Sequence, residues 1–238
     1  MAYELYYWPG IQGRGEFVRL ALEQAGADYV DVARGRGEGR GVQALIHFLE
    51  AQSVARPPFA PPFLKDGELV VGQTAAILLY LGPRLGLAPA DEAGRIWTHQ
   101  IQLTIADLVA EAHDTHHPVD VGLYYEDQKP EAARRAAAFR ADRIPKHLGW
   151  LDKVLARNQL EQETAPGWLV GDRLSYVDLS AFQIVEGLRY AFPNATAAAL
   201  AQTPGLTALA DRVAALPNVA AYLASDRRIP FNEDGIFR

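Results

Sequence analysis

The sequence predicts an α/β unit followed by an all-helical region. Three observations carry this fold class. Up to residue 83, short apolar runs bounded by Gly and Pro alternate with segments of helical spacing. Beyond residue 91 every patterned segment repeats at helical spacing alone. The chain has 238 residues of which 49% are apolar, enough to bury the core of one large or two modest domains. The expected division is 1–83 and 91–238, with 84–90 as a linker that contains Gly86 and Pro89.

The elements follow in order. Ala2 to Trp8, rich in aromatics, is expected to be a first strand that ends at Pro9-Gly10. Arg14 to Ala25 carries Phe17, Val18, Leu20, Ala21 and Leu22 on helical spacing and is closed by Gly26. Tyr29 to Val32 is a second strand, Ala33 to Arg40 a Gly/Arg-rich loop, and Val42 to Glu50 a short amphipathic helix. Then come strands Phe63-Leu64 and Leu69-Val71 around a two-residue turn at Asp66-Gly67. A helix opens at Gln73 and is expected to stop at Gly82-Pro83. In the second half, 92–117 and 130–157 read as long helices, with a kink or break expected at Pro145. Leu174 to Leu179 is a helix start in which Ser175 caps and Asp178 reaches back. Pro204 to Leu216 and Val219 to Ser225 complete the helices, and the polar tail Asp226 to Arg238 packs over the surface.

Composition excludes several functions. Net charge is −6 with no basic block, which argues against nucleic acid as a partner. The absence of Cys removes disulfides, thiolate metal sites and any cysteine nucleophile, so a thiol used here must arrive on the substrate. No basic-then-apolar leader opens the chain and no apolar run reaches the roughly 18 residues of a membrane span, so a soluble, cytoplasmic protein is expected.

Residues 57–82 carry the densest chemistry. Pro62 lacks a backbone donor, and Pro61 before it is pushed to an extended conformation, leaving backbone groups for a ligand. Pro61-Pro62 is a candidate cis bond. The helix start at Gln73-Thr74 offers free N–H groups, a partial positive charge, a hydroxyl and an amide, which together suit a carboxylate.

Taken together, Tyr7-Trp8-Pro9, Gly13-Arg14-Gly15-Glu16, Pro62 before a strand, Asp66-Gly67, Gln73-Thr74 opening a helix through Tyr80-Leu81-Gly82, and the Ser175-Tyr176-Val177-Asp178 box resemble the cytosolic glutathione S-transferases. The pattern is most similar to their tyrosine-type branch, with its pi-like and sigma-like classes. The resemblance implies a thioredoxin-like first domain, an all-α second domain and a cytoplasmic homodimer that serves detoxification. It implies glutathione as co-substrate, a small electrophile as second substrate, and no metal. Tyr7 would act on the sulfur, with Tyr6, on the opposite strand face, in reserve. Trp8, Pro61, Pro62, Gln73 and Thr74 would bind glutathione, joined by Asp107 acting across the dimer. Arg34, Arg36 and Arg40 are weak candidates for its glycine end, and Arg14 is expected to be structural.

His113, His116 and His117 lie at a spacing that can hold a metal on one face. The preferred reading, implied by the resemblance, is instead that they line or rim the second-substrate pocket with Tyr124-Tyr125; a solvated cluster is the alternative. The second class of function open to this sequence is a glutathione-binding or protein-interaction module without turnover.

Overall fold

The computed structural model describes residues 2–162 and 167–238. Four strands, β1 (Tyr3–Tyr6), β2 (Tyr29–Asp31), β3 (Phe63–Asp66) and β4 (Leu69–Gly72), form one sheet in the order β2-β1-β3-β4. β1 runs parallel to β2 and antiparallel to β3, which is antiparallel to β4. Alternation along the strands splits the side chains between two faces. Leu5 and Leu64 pack against Val18 and Leu22 of α1 (Gly15–Ala25) and Ile77 and Leu81 of α3 (Thr74–Arg84). Tyr6 and Phe63 face α2 (Val42–Glu50), stacked on each other at 4.5 Å between ring centroids and joined by Phe48. This is a thioredoxin-like domain in which Tyr6, the reserve tyrosine, belongs to the core beneath α2.

The helical domain comprises α4 (Glu92–Asp114), α5 (Lys129–Ala138), α6 (Ile144–Gln162), α7 (Tyr176–Ala191), α8 (Pro193–Leu200), α9 (Pro204–Ala214) and α10 (Pro217–Leu223). α7 is its axis, with Val177, Leu179, Phe182, Ile184, Val185 and Leu188 all buried. At about 1.5–3 kcal/mol for each such side chain, α7 alone supplies a large share of the burial energy.

Four expectations are corrected. The hairpin turn is Gly67-Glu68, because Asp66 still pairs with Leu69, and Gly67 takes the positive φ of 58° that a tight hairpin needs at its first central residue. α3 runs through Pro83 to Arg84. Gly82 serves close packing instead of termination, since a Cβ there would lie 2.8 Å from the Tyr176 ring. The break near Pro145 is a π-helical segment at Phe139–Arg143, one turn before the proline, where the missing N–H shifts the hydrogen-bond ladder. Finally, α8 was not anticipated, although Pro193 at its first turn is the signal that would have marked it.

The start of α7 behaves as expected in its essential contact. The fully buried Asp178 carboxylate accepts Ser175 N–H and Ser175 O–H, each at 2.7 Å, and Leu169 N–H at 2.8 Å. Replacing Asp178 by Ala should destabilise the fold by about 2 kcal/mol, read as a fall in Tm, because two buried N–H groups lose their acceptor. Burial pushes this carboxyl up from 3.8 to about 6 against those three bonds. Because the folded carboxyl titrates above its unfolded value, the fold loses stability as pH rises from about 4 through about 6, separately from the hydrogen bonds the carboxylate keeps. The stability of Asp178→Ala should lack that loss; a parallel pH profile in both proteins would contradict the assignment.

Candidate active site

The last row paired across β1, β3 and β4 is Tyr6–Phe63–Gly72. One step beyond it come Tyr7, Pro62 and Gln73, so three residues far apart in sequence meet at one end of the sheet. The Pro61-Pro62 bond is cis. Pro62 is buried, Pro61 is half-buried, and Trp8 stands exposed at 39% beside Tyr7.

Tyr7 is held mainly by backbone, with the Arg19 guanidinium 5.8 Å from its ring centroid. Gly13 and Gly15 bracket it: a Cβ on Gly15 would lie 2.5 Å from Tyr7 Cδ1, and a Cβ on Gly13 would overlap Tyr7 Oη. Gly13 also adopts φ 44°, which glycine takes without strain. Between them, Arg14 N–H donates to Tyr7 Oη at 2.9 Å. Burial pushes the phenol up from its ordinary pKa, opposed by the Arg14 N–H bond and by the charges of Arg14 and Arg19. Tyr7 is therefore a neutral phenol at physiological pH. Its oxygen is already an acceptor, and its proton has no acceptor among the described residues, so the O–H is left to donate to a ligand.

The same Arg14 peptide ties this tyrosine to α3, because Thr74 Oγ1 donates to Arg14 C=O at 3.3 Å. Ahead of it, Gln73 is exposed with φ 65°, the one non-glycine residue with positive φ among those described. That conformation costs of order 1–3 kcal/mol and is found preferentially at ligand clamps. It presents the Gln73 amide next to the free N–H groups that open α3. Arg14, Gln73 and Thr74 also line a largely apolar cleft of about 300 Å³ between α3 and α4.

Asp107 is not brought into this group. It is exposed on α4 and makes no hydrogen bond or ion pair within the described residues of the chain. Arg34 is engaged elsewhere, donating to Asp226 C=O at 3.0 Å and to Arg227 C=O at 2.5 Å in the C-terminal tail.

Sequence reasoning missed the polar assembly behind the site. Arg19 is fully buried, with Nε donating to Asp31 at 2.7 Å and Nη1 to Glu16 at 3.2 Å. Glu16 also accepts Tyr222 O–H at 2.6 Å and Arg228 at 2.5 Å, which joins α1 to α10 and the tail. Gln12, just before the Gly13-Arg14-Gly15 turn, accepts from Gln183 at 2.8 Å and donates to Ile229 C=O at 2.5 Å. The only available signal was a charged pair, Glu16 and Arg19, one turn apart inside an apolar helix face. The tail then crosses the mouth of the Tyr7 loop, where Asn232 donates to Gly10 C=O at 2.8 Å, and Phe237 packs its ring against Gly187.

The three histidines cluster where α4 ends, with ring centroids 4.7–5.2 Å apart. Burial, the dominant cause, lowers the pKa of both His113 and His116, with His116 brought to about 4. The charge of Arg14 adds a smaller lowering at His113.

Residues 113–226 match the family model described as glutathione S-transferase, C-terminal domain. Relatives extend the likeness over the whole chain. The glutathione S-transferase of Plasmodium falciparum is 23% identical over 93% of this chain and 94% of its own. The bovine (Bos taurus) glutathione S-transferase P is 26% identical over 98% of both. Among solved structures, the pi-class glutathione S-transferase of Onchocerca volvulus superposes with a TM-score of 0.72 at 20% identity, covering 98% of this chain and 99% of that one. Prostaglandin synthase D of Nilaparvata lugens does so with 0.71 at 20%, covering 97% and 100%; both likenesses speak to the fold. The matched domain and these end-to-end relatives support the glutathione S-transferase family for this chain.

Proposed function

We propose that this protein is a tyrosine-type glutathione transferase that activates the thiol of glutathione for attack on a small electrophile. The observation that carries the reading is the buried, neutral Tyr7, whose oxygen is occupied by Arg14 N–H and whose proton is free to donate. A free thiol with pKa near 8.5 is only about 3% ionised at pH 7, and the thiolate is the nucleophile. A phenol O–H donated to sulfur stabilises the thiolate over the thiol. The S–C bond then forms on the electrophile, the leaving group departs with its electron pair, and the thiol proton has gone to solvent. The step as drawn uses no metal.

The tripeptide is assigned as follows. Gln73, Thr74 and the α3 N-terminus hold the γ-glutamyl carboxylate. The Pro61 backbone pairs with the cysteinyl amide as a short strand addition, with Pro62 setting its direction. Trp8 flanks the sulfur end. The domains divide at 1–83 and 91–238, joined by 84–90. The protein is a cytoplasmic homodimer with a detoxifying role; among the described residues no helix is long and apolar enough to cross a membrane.

An ultraviolet difference spectrum of the protein with glutathione, titrated from about pH 5 to 9, tests the reading. A thiolate band well below the free thiol's pKa is expected. Saturable binding without that band would favour the non-catalytic module, and no binding would overturn both.

Asp107, exposed and without a partner among the described residues, supports a role at the partner's site, against the glutamyl ammonium. Asp107→Ala should weaken glutathione binding by about tenfold, the scale of one charge-assisted contact. In a mixed dimer with one mutant subunit, the loss should fall on the other subunit's site. Unchanged affinity there would remove the cross-subunit role.

A further inference from the structure

We propose that His113, His116 and His117 form a three-nitrogen binding site for one zinc ion per chain. This goes beyond the thiol chemistry above and against the expectation of no metal drawn from the family resemblance. Each of the three offers one ring nitrogen, and these atoms lie within 4.8 Å of one another, the one such grouping of potential ligands found among the described residues. Zinc–imidazole bonds of 2.0–2.1 Å at tetrahedral angles set ligand nitrogens about 3.3 Å apart. Side-chain shifts of roughly 1 Å therefore bring the cluster to coordination geometry.

The tautomers favour this reading. His116 Nε2 faces Ile236 C=O at 3.0 Å, and a carbonyl only accepts, so Nε2 carries the proton. The neutral ring then has a bare Nδ1 turned toward the cluster. A ligating histidine whose other nitrogen donates to a backbone carbonyl is the usual supporting arrangement at metal sites. His117 Nδ1 stands 2.5 Å from His116 Nδ1. Two facing lone pairs, or two facing N–H groups, would repel at that distance, so one proton is shared between them, and the rings must part to about 3.3 Å for zinc to take its place.

The surroundings agree. The cluster sits at the C-terminal end of the 23-residue α4, where backbone carbonyls present partial negative charge, and Asp114 is adjacent. Arg14, near His113, and Arg238, near His116, oppose a cation by charge. Three nitrogens leave the fourth tetrahedral position for solvent or a ligand.

The test is metal titration of the full chain after dialysis against a chelator. Cobalt(II) is added first for its visible absorption, then zinc chloride, followed by calorimetry. One cobalt per chain is expected, with tetrahedral absorption bands that zinc displaces. His113→Gln and His117→Gln, both on half-buried residues, should each weaken zinc binding at least tenfold, while the exposed His47→Gln leaves it unchanged. Circular dichroism confirms that each variant is folded. Absence of stoichiometric binding, or either cluster variant binding like the wild type, would overturn the three-nitrogen site. The glutathione thiolate spectrum is a separate readout, so this site and the thiol chemistry can fail independently.

Discussion

Replacing Tyr7 by Phe should lower turnover by about 100-fold near pH 6.5 while leaving glutathione affinity within a few-fold. The scale follows from the thiol. Moving its pKa down by about two units corresponds to roughly 2.7 kcal/mol of preferential stabilisation of the thiolate, and one charge-assisted hydrogen bond from a buried phenol supplies most of that. The tripeptide body is held by other groups, so the hydroxyl contributes to kcat and little to binding. Because burial raises the phenol's own pKa, Tyr7 keeps its proton throughout the range where the thiol titrates. The deficit should therefore shrink as pH rises past about 8.5, where glutathione ionises unaided. Removing Oη also leaves Arg14 N–H without its acceptor, at about 1 kcal/mol in stability. Stopped-flow or steady-state rates from pH 6 to 9.5 check the profile. A pH-independent deficit, or equal loss of binding and rate, would take the sulfur away from Tyr7.

Much of this arrangement is legible in the sequence because it depends on local rules. The βαβ and ββα order, the Asp178 contact at the start of α7, and the position of Pro62 and Gln73 one step beyond the β3–β4 ladder all follow from short-range pattern and turn chemistry. The meeting of Tyr7 with Arg14 does not, since the donor is a backbone N–H that any residue but proline at 14 could provide. Likewise, nothing local tells that Gly82 makes room for Tyr176, 94 positions on, or that the tail closes over Gly10, Gln12 and His116. The buried Glu16–Arg19–Asp31 set is tertiary in the same sense. Helical spacing identified the apolar side of α1 but not that α10 and the tail would bring Tyr222 and Arg228 to Glu16.

Gly15→Ala should damage catalysis at least as much as loss of the Tyr7 hydroxyl, without touching any polar group. Gly15 opens α1 and has no positive φ, so alanine fits its backbone and, by helix propensity alone, would stabilise by up to about 1 kcal/mol. The new methyl, however, would lie 2.5 Å from Tyr7 Cδ1, 2.6 Å from Cγ and 2.9 Å from Cβ. Contacts that short force the ring to move, and overpacking of this kind costs about 1–3 kcal/mol. Net stability should thus change little, by about 2 kcal/mol or less. A ring displaced by roughly 1 Å breaks the donation to sulfur, and misplacement on that scale can cost about 100-fold in rate. Turnover of Gly15→Ala should fall by about that factor or more, with the glutathione thiolate band shifted toward the free thiol's pKa. Gly10→Ala is the matched control, because a Cβ there meets nothing within 4 Å. If Gly15→Ala folds, binds glutathione and turns over like the wild type, then thiol activation does not depend on the position of the Tyr7 ring. The residue to pursue would then be Arg14, whose peptide N–H and C=O touch both Tyr7 and Thr74.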